Sequence, residues 1–290
     1  MAVLHTAAAP VGTSGYTLLI ADSAAQVAAA QRLRYAVFAA ELGATLRTPV
    51  TGSGAGLPAE RPSPGEDLRL SELDTDEFDD HCDHLIVRDN ATGEVVGTYR
   101  MLPPDRLPRT GRRYSDGGFD LSGLAPLRDH LVEIGRSCVH PAHRSGAVIN
   151  LMWAGITRYL HLRGLRWLGG CASVPLADGG STALRAWNEV SRGQLSPPLL
   201  RVRPHRPWLA EPTAIVAAGG TDPGGTGRGA MPPLLRGYLR LGAWVCGEPG
   251  YDPDFDVADF YVLLTTDRMH PRYRRHFLGE PRQPGAGGDR

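Results

Sequence analysis

The chain has 290 residues and is 42% hydrophobic, enough for one large domain or two small ones with a full core. Its 31 basic side chains balance 31 Asp and Glu, so no net field draws it to nucleic acid or to an anionic membrane. Every basic residue is arginine, which excludes Walker-A lysines, Schiff-base lysines and lysine general bases. The four cysteines, Cys82, Cys138, Cys171 and Cys246, are far apart and form no C-x-x-C, so neither a zinc site nor a redox pair is expected. "HCDH" at 81–84 puts two histidines three apart at a strand entrance, facing opposite ways, and no metal is expected there. The first thirty residues contain no Arg or Lys, and no apolar run approaches the length of a membrane span. A cytoplasmic protein is the expectation.

In chain order, residues 1–15 read as a flexible tail and "YTLLIA" at 16–21 as a strand. A helix follows over 22–42, with Asp22 or Ser23 as N-cap and Val27, Ala30, Leu33, Val37 and Phe38 as its apolar stripe. Arg34 falls on or beside that stripe, where an arginine either snorkels at the rim or reaches into a site. Residues 47–66 are rich in Gly, Pro and Ser and read as a mobile loop. Strands at 83–89 and 94–102 flank "ATG" as a hairpin, and a third strand covers 131–139. A helix at 146–164, a strand at 165–174 and a helix at 181–191 come next. Residues 193–230 read as a second mobile loop. A short helix at 232–242, strands around a turn at 243–266, a helix at 270–277 and a flexible tail from 279 complete the chain. The order is α/β with a mixed sheet.

"LVEIGRSCVHPAHRSG" at 131–146 holds the chemistry. In a regular strand Glu133 and Arg136 point to opposite faces. A β-bulge at Gly135 would let them share one, and would also free backbone N–H groups for a carbonyl oxygen. The turn into the next helix, with Arg144 and a single glycine, Gly146, is a place where amides and the helix dipole hold a phosphate. It matches neither the P-loop nor G-x-G-x-x-G. Spacing alone favours an ordinary strand–helix corner with a surface ion pair.

Five segments in order, "LRYAVFAAEL", "DTDEFDDHCDHLIV", "GTYRML", "EIGRSCVHPAHRSG" and "PPLLRGYLRLGAWVC", change that balance. Together they resemble the N-acyltransferases of ornithine-lipid synthesis, in the GCN5-related acyltransferase (GNAT) superfamily and related to acyl-homoserine-lactone synthases. The resemblance covers roughly 16–278 as one acyltransferase domain. It implies a GNAT-like central mixed, splayed β-sheet flanked by helices. It implies direct transfer of a (3-hydroxy)acyl chain from an acyl-carrier-protein thioester to the α-amine of ornithine or a similar amino acid. The acyl-phosphopantetheine thioester, on acyl carrier protein or coenzyme A, is then a co-substrate, and no cofactor is bound permanently. The lipid product leaves room for a peripheral contact at the inner membrane face, although no strong amphipathic anchor stands out.

Residue by residue, the resemblance puts Arg34, Phe38, Asp76, Asp79 and Arg100 at the substrate site. It makes Glu133 and Arg136 the catalytic pair and Arg144, Ser145 and Gly146 the phosphopantetheine loop. That loop departs from the superfamily's two-glycine pattern, which suits the single phosphodiester of a carrier protein. The acceptor amine must lose a proton, and a carboxylate raised toward neutrality by burial can take it. Glu133 is the expected base, with Arg136 and Arg100 orienting it or binding the substrate carboxylate through a hydrogen-bond fork. Asp252 is expected as a turn residue. Two other readings remain open: a lactone synthase, against which the 193–230 insertion argues, and an acyl-binding module without catalysis.

Overall fold

The computed structural model describes residues 15–46, 72–210 and 231–278. The expectations for the tail before 15, for 47–66, for 211–230 and for the tail after 278 lie outside the described residues. Tyr16–Ile20 (β1), Asp83–Asp89 (β2), Val95–Leu102 (β3) and Leu131–Val139 (β5) pair antiparallel in succession. Leu131–Val139 then runs parallel to Trp167–Pro175 (β6). A parallel neighbour requires a long crossover, which the helix Ala147–Leu162 (α3) supplies. Val257–Thr265 (β10) pairs antiparallel with β6, and Trp244–Val245 (β8) and Gly250–Asp252 (β9) pair with β10. Phe119–Asp120 (β4) and Arg203–Pro204 (β7) form a separate two-stranded sheet.

The remaining helices are Ala24–Tyr35 (α1), the single turn Leu107–Thr110 (α2), Ser181–Val190 (α4), Pro233–Leu241 (α5) and Pro271–Leu278 (α6). The expected N-cap is Ser23, whose hydroxyl accepts from the Gln26 N–H at 3.4 Å. The helix continues beyond Tyr35 as a π-helical stretch, Ala36–Glu41. Residues 193–210 depart from the mobile-loop reading. The Val245 amide donates to Gln194, Ser196 to Val245, Val202 to Cys246, and Trp208 to Pro249, so the segment is tied along the sheet edge.

The main sheet separates two environments because strand side chains alternate. Tyr99, Met101, Val132, Ile134, Ala172, Phe260 and Val262 face α3, α4 and α5 in the principal core, with Val148, Met152, Ile156, Leu160 and Leu235 packed against them. Leu131, Tyr261 and Leu263 face the other way, with Phe119, Leu121, Leu124 and Val202. That second face carries α1, the 104–130 connection and the charged residues.

The sheet is splayed, as expected. β5 and β6 pair only at Leu131–Trp167, Val132–Leu168 and Glu133–Gly169, and then diverge. Gly170 sits where they part. A Cβ there would lie 2.1 Å from the Ile134 backbone oxygen, and neither backbone can step aside cheaply. Gly170→Ala is therefore expected to cost about 1–3 kcal/mol by overpacking, measured by denaturant melts. Gly193→Ala, at an exposed position where a Cβ meets nothing within 4 Å, should change stability by no more than about 0.5 kcal/mol.

Candidate active site

The site face is held together by charges that have left water. Arg34 is fully buried, and its guanidinium grips the 74–79 segment: Nε donates to Asp74 Oδ2 at 2.7 Å, and Nη1 and Nη2 donate to the two oxygens of Asp79 at 3.0 and 2.8 Å. A further bond from Nη2 reaches the Asp74 backbone oxygen. Arg100, on β3, donates to Asp76 and, at 2.9 Å, to Asp79 Oδ1. Arg136 completes the set, with Nε 3.1 Å from Asp74 Oδ2 and Nη2 3.2 Å from Asp76 Oδ2. Three arginines from α1, β3 and β5 thus share three aspartates of one short segment. Burial opposes the Asp79 charge, but Arg34 and Arg100 outweigh it and hold its carboxyl well below the ordinary carboxylate range. Arg34 is therefore neither a snorkelling arginine nor open to substrate. It anchors the acidic segment, and Asp74, which the sequence reading did not single out, is its partner.

The bulge in β5 exists, but one residue later than expected. Thr98 faces Cys138 while Arg100 faces Gly135, so Tyr99 opposes both Arg136 and Ser137. Arg136 itself takes the left-handed conformation, φ 50°, and Gly135 does not. A long side chain is held where glycine would be comfortable, so its surroundings must fix it. They do: the guanidinium lies between the rings of Tyr114 and Phe255, 4.9 and 5.2 Å from their centroids, and donates to the Tyr114 hydroxyl at 3.1 Å. Phe38 is half-buried and meets Phe255 edge-on at 6.0 Å. The extra residue also resets the alternation, so Cys138 packs with Leu33 and Val37 of the first helix and its extension.

Arg136 lines a cleft of about 260 Å³ together with Asp76, Tyr114, Cys171, Asp252, Phe255 and Asp259. Asp252 sits at a turn, where Oδ1 accepts from the Asp254 and Phe255 amides at 2.9 and 3.4 Å. Asp259 was missed. It stands on β10 opposite Ser173 of β6, whose hydroxyl donates to it at 2.6 Å. Burial lifts its carboxyl to about 7, with the Ser173 bond opposing the rise and the neighbouring Asp252 charge adding to it. One signal was legible: a lone carboxylate in "VADFYVLL", otherwise an apolar run.

Glu133 and Arg136 both border a smaller cavity of about 30 Å³, with Arg100 and Tyr114. Glu133 does not line the larger cleft. Its two oxygens accept the backbone N–H groups of Tyr114 and Ser115, each at 2.8 Å, at the start of the 3-10 turn Tyr114–Gly117. Burial raises its pKa, and those bonds oppose the rise.

Arg144, Ser145 and Gly146 do not line the cleft either. Gly146, φ 100°, is the N-cap of α3. Arg144 is exposed and forks onto Glu41 at 2.6 and 2.8 Å. His143 is bonded to the Tyr16 hydroxyl at 2.8 Å, and His140 accepts from the Ala142 amide. Burial pushes the thiols of Cys82, Cys138 and Cys246 up to about 12 and that of Cys171 well above its ordinary value, which is poor ground for a thiolate nucleophile. Among the described residues, no group of three or more His, Cys, Asp or Glu side chains gathers as a metal ion would require.

The arginine–aspartate network is a stability determinant with an acid limit. Asp79→Asn leaves buried guanidinium charge without its partner and is expected to cost about 3–5 kcal/mol, read from chemical denaturation. Asp80→Asn, at the exposed neighbouring position, should stay within about 0.5 kcal/mol. Because the folded-state pKa of Asp79 is depressed, its contribution is complete above its unfolded value, about 3.9, and is lost as pH falls through the folded one. The stability gap between the parent protein and Asp79→Asn should therefore close only in strong acid.

Residues 60–154 match the acetyltransferase (GNAT) domain family. The chain is 35% identical over 283 residues to the L-ornithine N(alpha)-acyltransferase of Rhodobacter capsulatus, covering 93% of this chain and 96% of that protein. It is 30% identical to the enzyme of the same name from Brucella abortus, covering 90% and 88% respectively. Among solved structures, the CoA-dependent acyl-homoserine lactone synthase BjaI, with SAM and isopentyl-CoA, matches at a TM-score of 0.45 and 12% identity, over 90% of this chain and 85% of that one. Identity at this level along nearly the whole length, on a splayed mixed sheet with a charged cleft, places the chain in the L-ornithine N(alpha)-acyltransferase family.

Proposed function

We propose that this acyltransferase moves a (3-hydroxy)acyl chain from an acyl-carrier-protein thioester directly to the α-amine of ornithine or a closely similar amino acid. The observation that carries the reading is the 35% identity over 93% of the chain to a protein named for acylating the α-nitrogen of ornithine. The cleft suits such an acceptor. Arg136 can turn its Nη1 edge, which is bonded to the Tyr114 hydroxyl, to the α-carboxylate, and Asp76 and Asp252 bring negative charge to the same cleft for a cationic side chain. Phe38 backs the wall through Phe255. Arg34, Asp79 and Arg100 act as the frame that sets Asp76 and Arg136. Glu133 acts through the Tyr114–Ser115 turn as a positioning residue.

In this reading the acyl-phosphopantetheine arm enters where β5 and β6 diverge. Its phosphate docks at the start of α3, beside Ser145 and Gly146, with Arg144 exchanging Glu41 for the phosphate. Direct transfer agrees with the raised thiol pKa values. No helix among the described residues is long and apolar enough to cross a membrane. A lipid product from a cytoplasmic enzyme would then call for peripheral contact at the inner face.

Incubation of the purified protein with ornithine and 3-hydroxyacyl carrier protein, with 3-hydroxyacyl-CoA in parallel, should give N-acylornithine by mass spectrometry, faster from the carrier protein. No transfer from either donor to ornithine or to any proteinogenic amino acid would overturn the reading. Arg136→Ala is expected to lower kcat/KM for the acceptor roughly 10- to 100-fold, the worth of one charge-assisted hydrogen-bond set. Arg136→Lys, which keeps the charge and loses the fork, should fall between.

A further inference from the structure

Acylating an amine at neutral pH needs a group that takes a proton from the acceptor and is itself ionised when the acceptor arrives. The cleft contains one carboxylate whose setting differs from the rest. Asp76 is bound by Arg100 and Arg136, and Asp252 accepts two amides of its own turn through Oδ1. Glu133 gives both oxygens to backbone amides and lies outside the cleft. Asp259 is half-buried in the cleft wall, fixed by a Ser173 hydroxyl at 2.6 Å, with no arginine hydrogen-bonded to it among the described residues.

The groups facing Asp259 come from several elements. β6 brings Ser173 and the neutral Cys171 thiol, β9 brings the Asp252 carboxylate, and β5 brings the Arg136 charge. Tyr114, Ser115 and Asp76 close the same cleft from the other side. Ser115 also lies within 3.8 Å of Cys171. Burial outweighs the Ser173 bond and the more distant Arg136. The acceptor's ammonium would therefore meet a carboxylate in the same cleft as the arginine that suits its α-carboxylate.

We propose that Asp259 is the catalytic base of the reaction, an assignment that rests on the N-acyltransferase reading above. The acceptor's α-ammonium gives one proton to the Asp259 carboxylate. The freed lone pair attacks the thioester carbon, the C–N bond forms and the C–S bond breaks. The second proton that nitrogen sheds ends on the departing sulfur, and Asp259 returns its own to solvent. A carboxylate that titrates near 7 matches this task, since it takes the proton readily and releases it between turnovers.

The assignment has a signature in stability. A carboxyl raised from about 3.9 in the unfolded chain to about 7 in the fold opposes folding increasingly as pH rises between those values. Asp259→Asn should therefore melt higher than the parent protein at pH 8 and equal to it near pH 3.5.

The deciding experiment is the pH dependence of N-acylornithine formation at saturating acyl carrier protein. The parent protein should lose activity as pH falls through about 7. Asp259→Asn should lower kcat at least about 100-fold, with the KM for ornithine little changed. Ser173→Ala removes the bond that favours the carboxylate and should move the acid limb to higher pH; Asp252→Asn removes a repelling charge and should move it lower. Carboxyl 13C NMR provides a readout independent of turnover, through a resonance titrating near 7 that is absent from Asp259→Asn. Full activity of Asp259→Asn with an unmoved profile would overturn the assignment and leave the acyltransferase reading intact. If the parent protein acylates no amine, that reading fails, and an Asp259 resonance titrating near 4 would then remove the assignment too.

Discussion

The site depends on one interaction: the largely buried Arg34, Arg100 and Arg136 sharing Asp74, Asp76 and Asp79. Taking such groups out of water costs several kcal/mol per ion, and only the pairing of opposite charges offsets it. That constraint makes the arrangement all-or-none. The acidic segment cannot move without stranding arginines on the first helix and on two strands. The six side chains therefore set the relative positions of α1, β3, β5 and the 74–79 segment, and with them the floor of the cleft.

The β5 bulge follows from the same balance. Arg136 must reach both Asp74 and Asp76, yet a regular strand would turn it into the apolar core. One extra residue reverses its direction, at the cost of a left-handed backbone on a non-glycine residue. The ion pairs and the flanking rings of Tyr114 and Phe255 offset that strain. The bulge also reverses the phase of the rest of the strand, so Cys138 meets the first helix. The geometry of the cleft and core packing thus share one backbone irregularity.

Carboxylates in this molecule divide by environment rather than by residue type. Asp79 is surrounded by guanidinium groups and stays ionised far into acid. Glu133 organises the backbone of a wall. Asp259 has a hydroxyl and an aspartate for neighbours and is pushed toward neutrality. Three acids, each buried or half-buried, have three different titration behaviours because their surroundings differ.

The sequence by itself determined the elements. Period-two and helical patterns located β2, β3, β5, β10, α1, α3, α4, α5 and α6 to within a few residues, because burial on a sheet or under a helix imposes that periodicity locally. It also revealed a conflict at Glu133 and Arg136, since two charges in an apolar strand cannot both be accommodated without a local irregularity. It could not say which residue would bear the strain, for that depends on the distance from Arg136 to aspartates sixty positions earlier. Nor could it single out Asp74 among the five acids between 74 and 80, or show that Arg34 is buried. Asp259 remained an ordinary polar position in a strand until β6, β9 and β5 were brought around it. Only tertiary structure decided these points, because desolvation and charge pairing are set by neighbours in space, and neighbours from different strands have no fixed spacing along the chain.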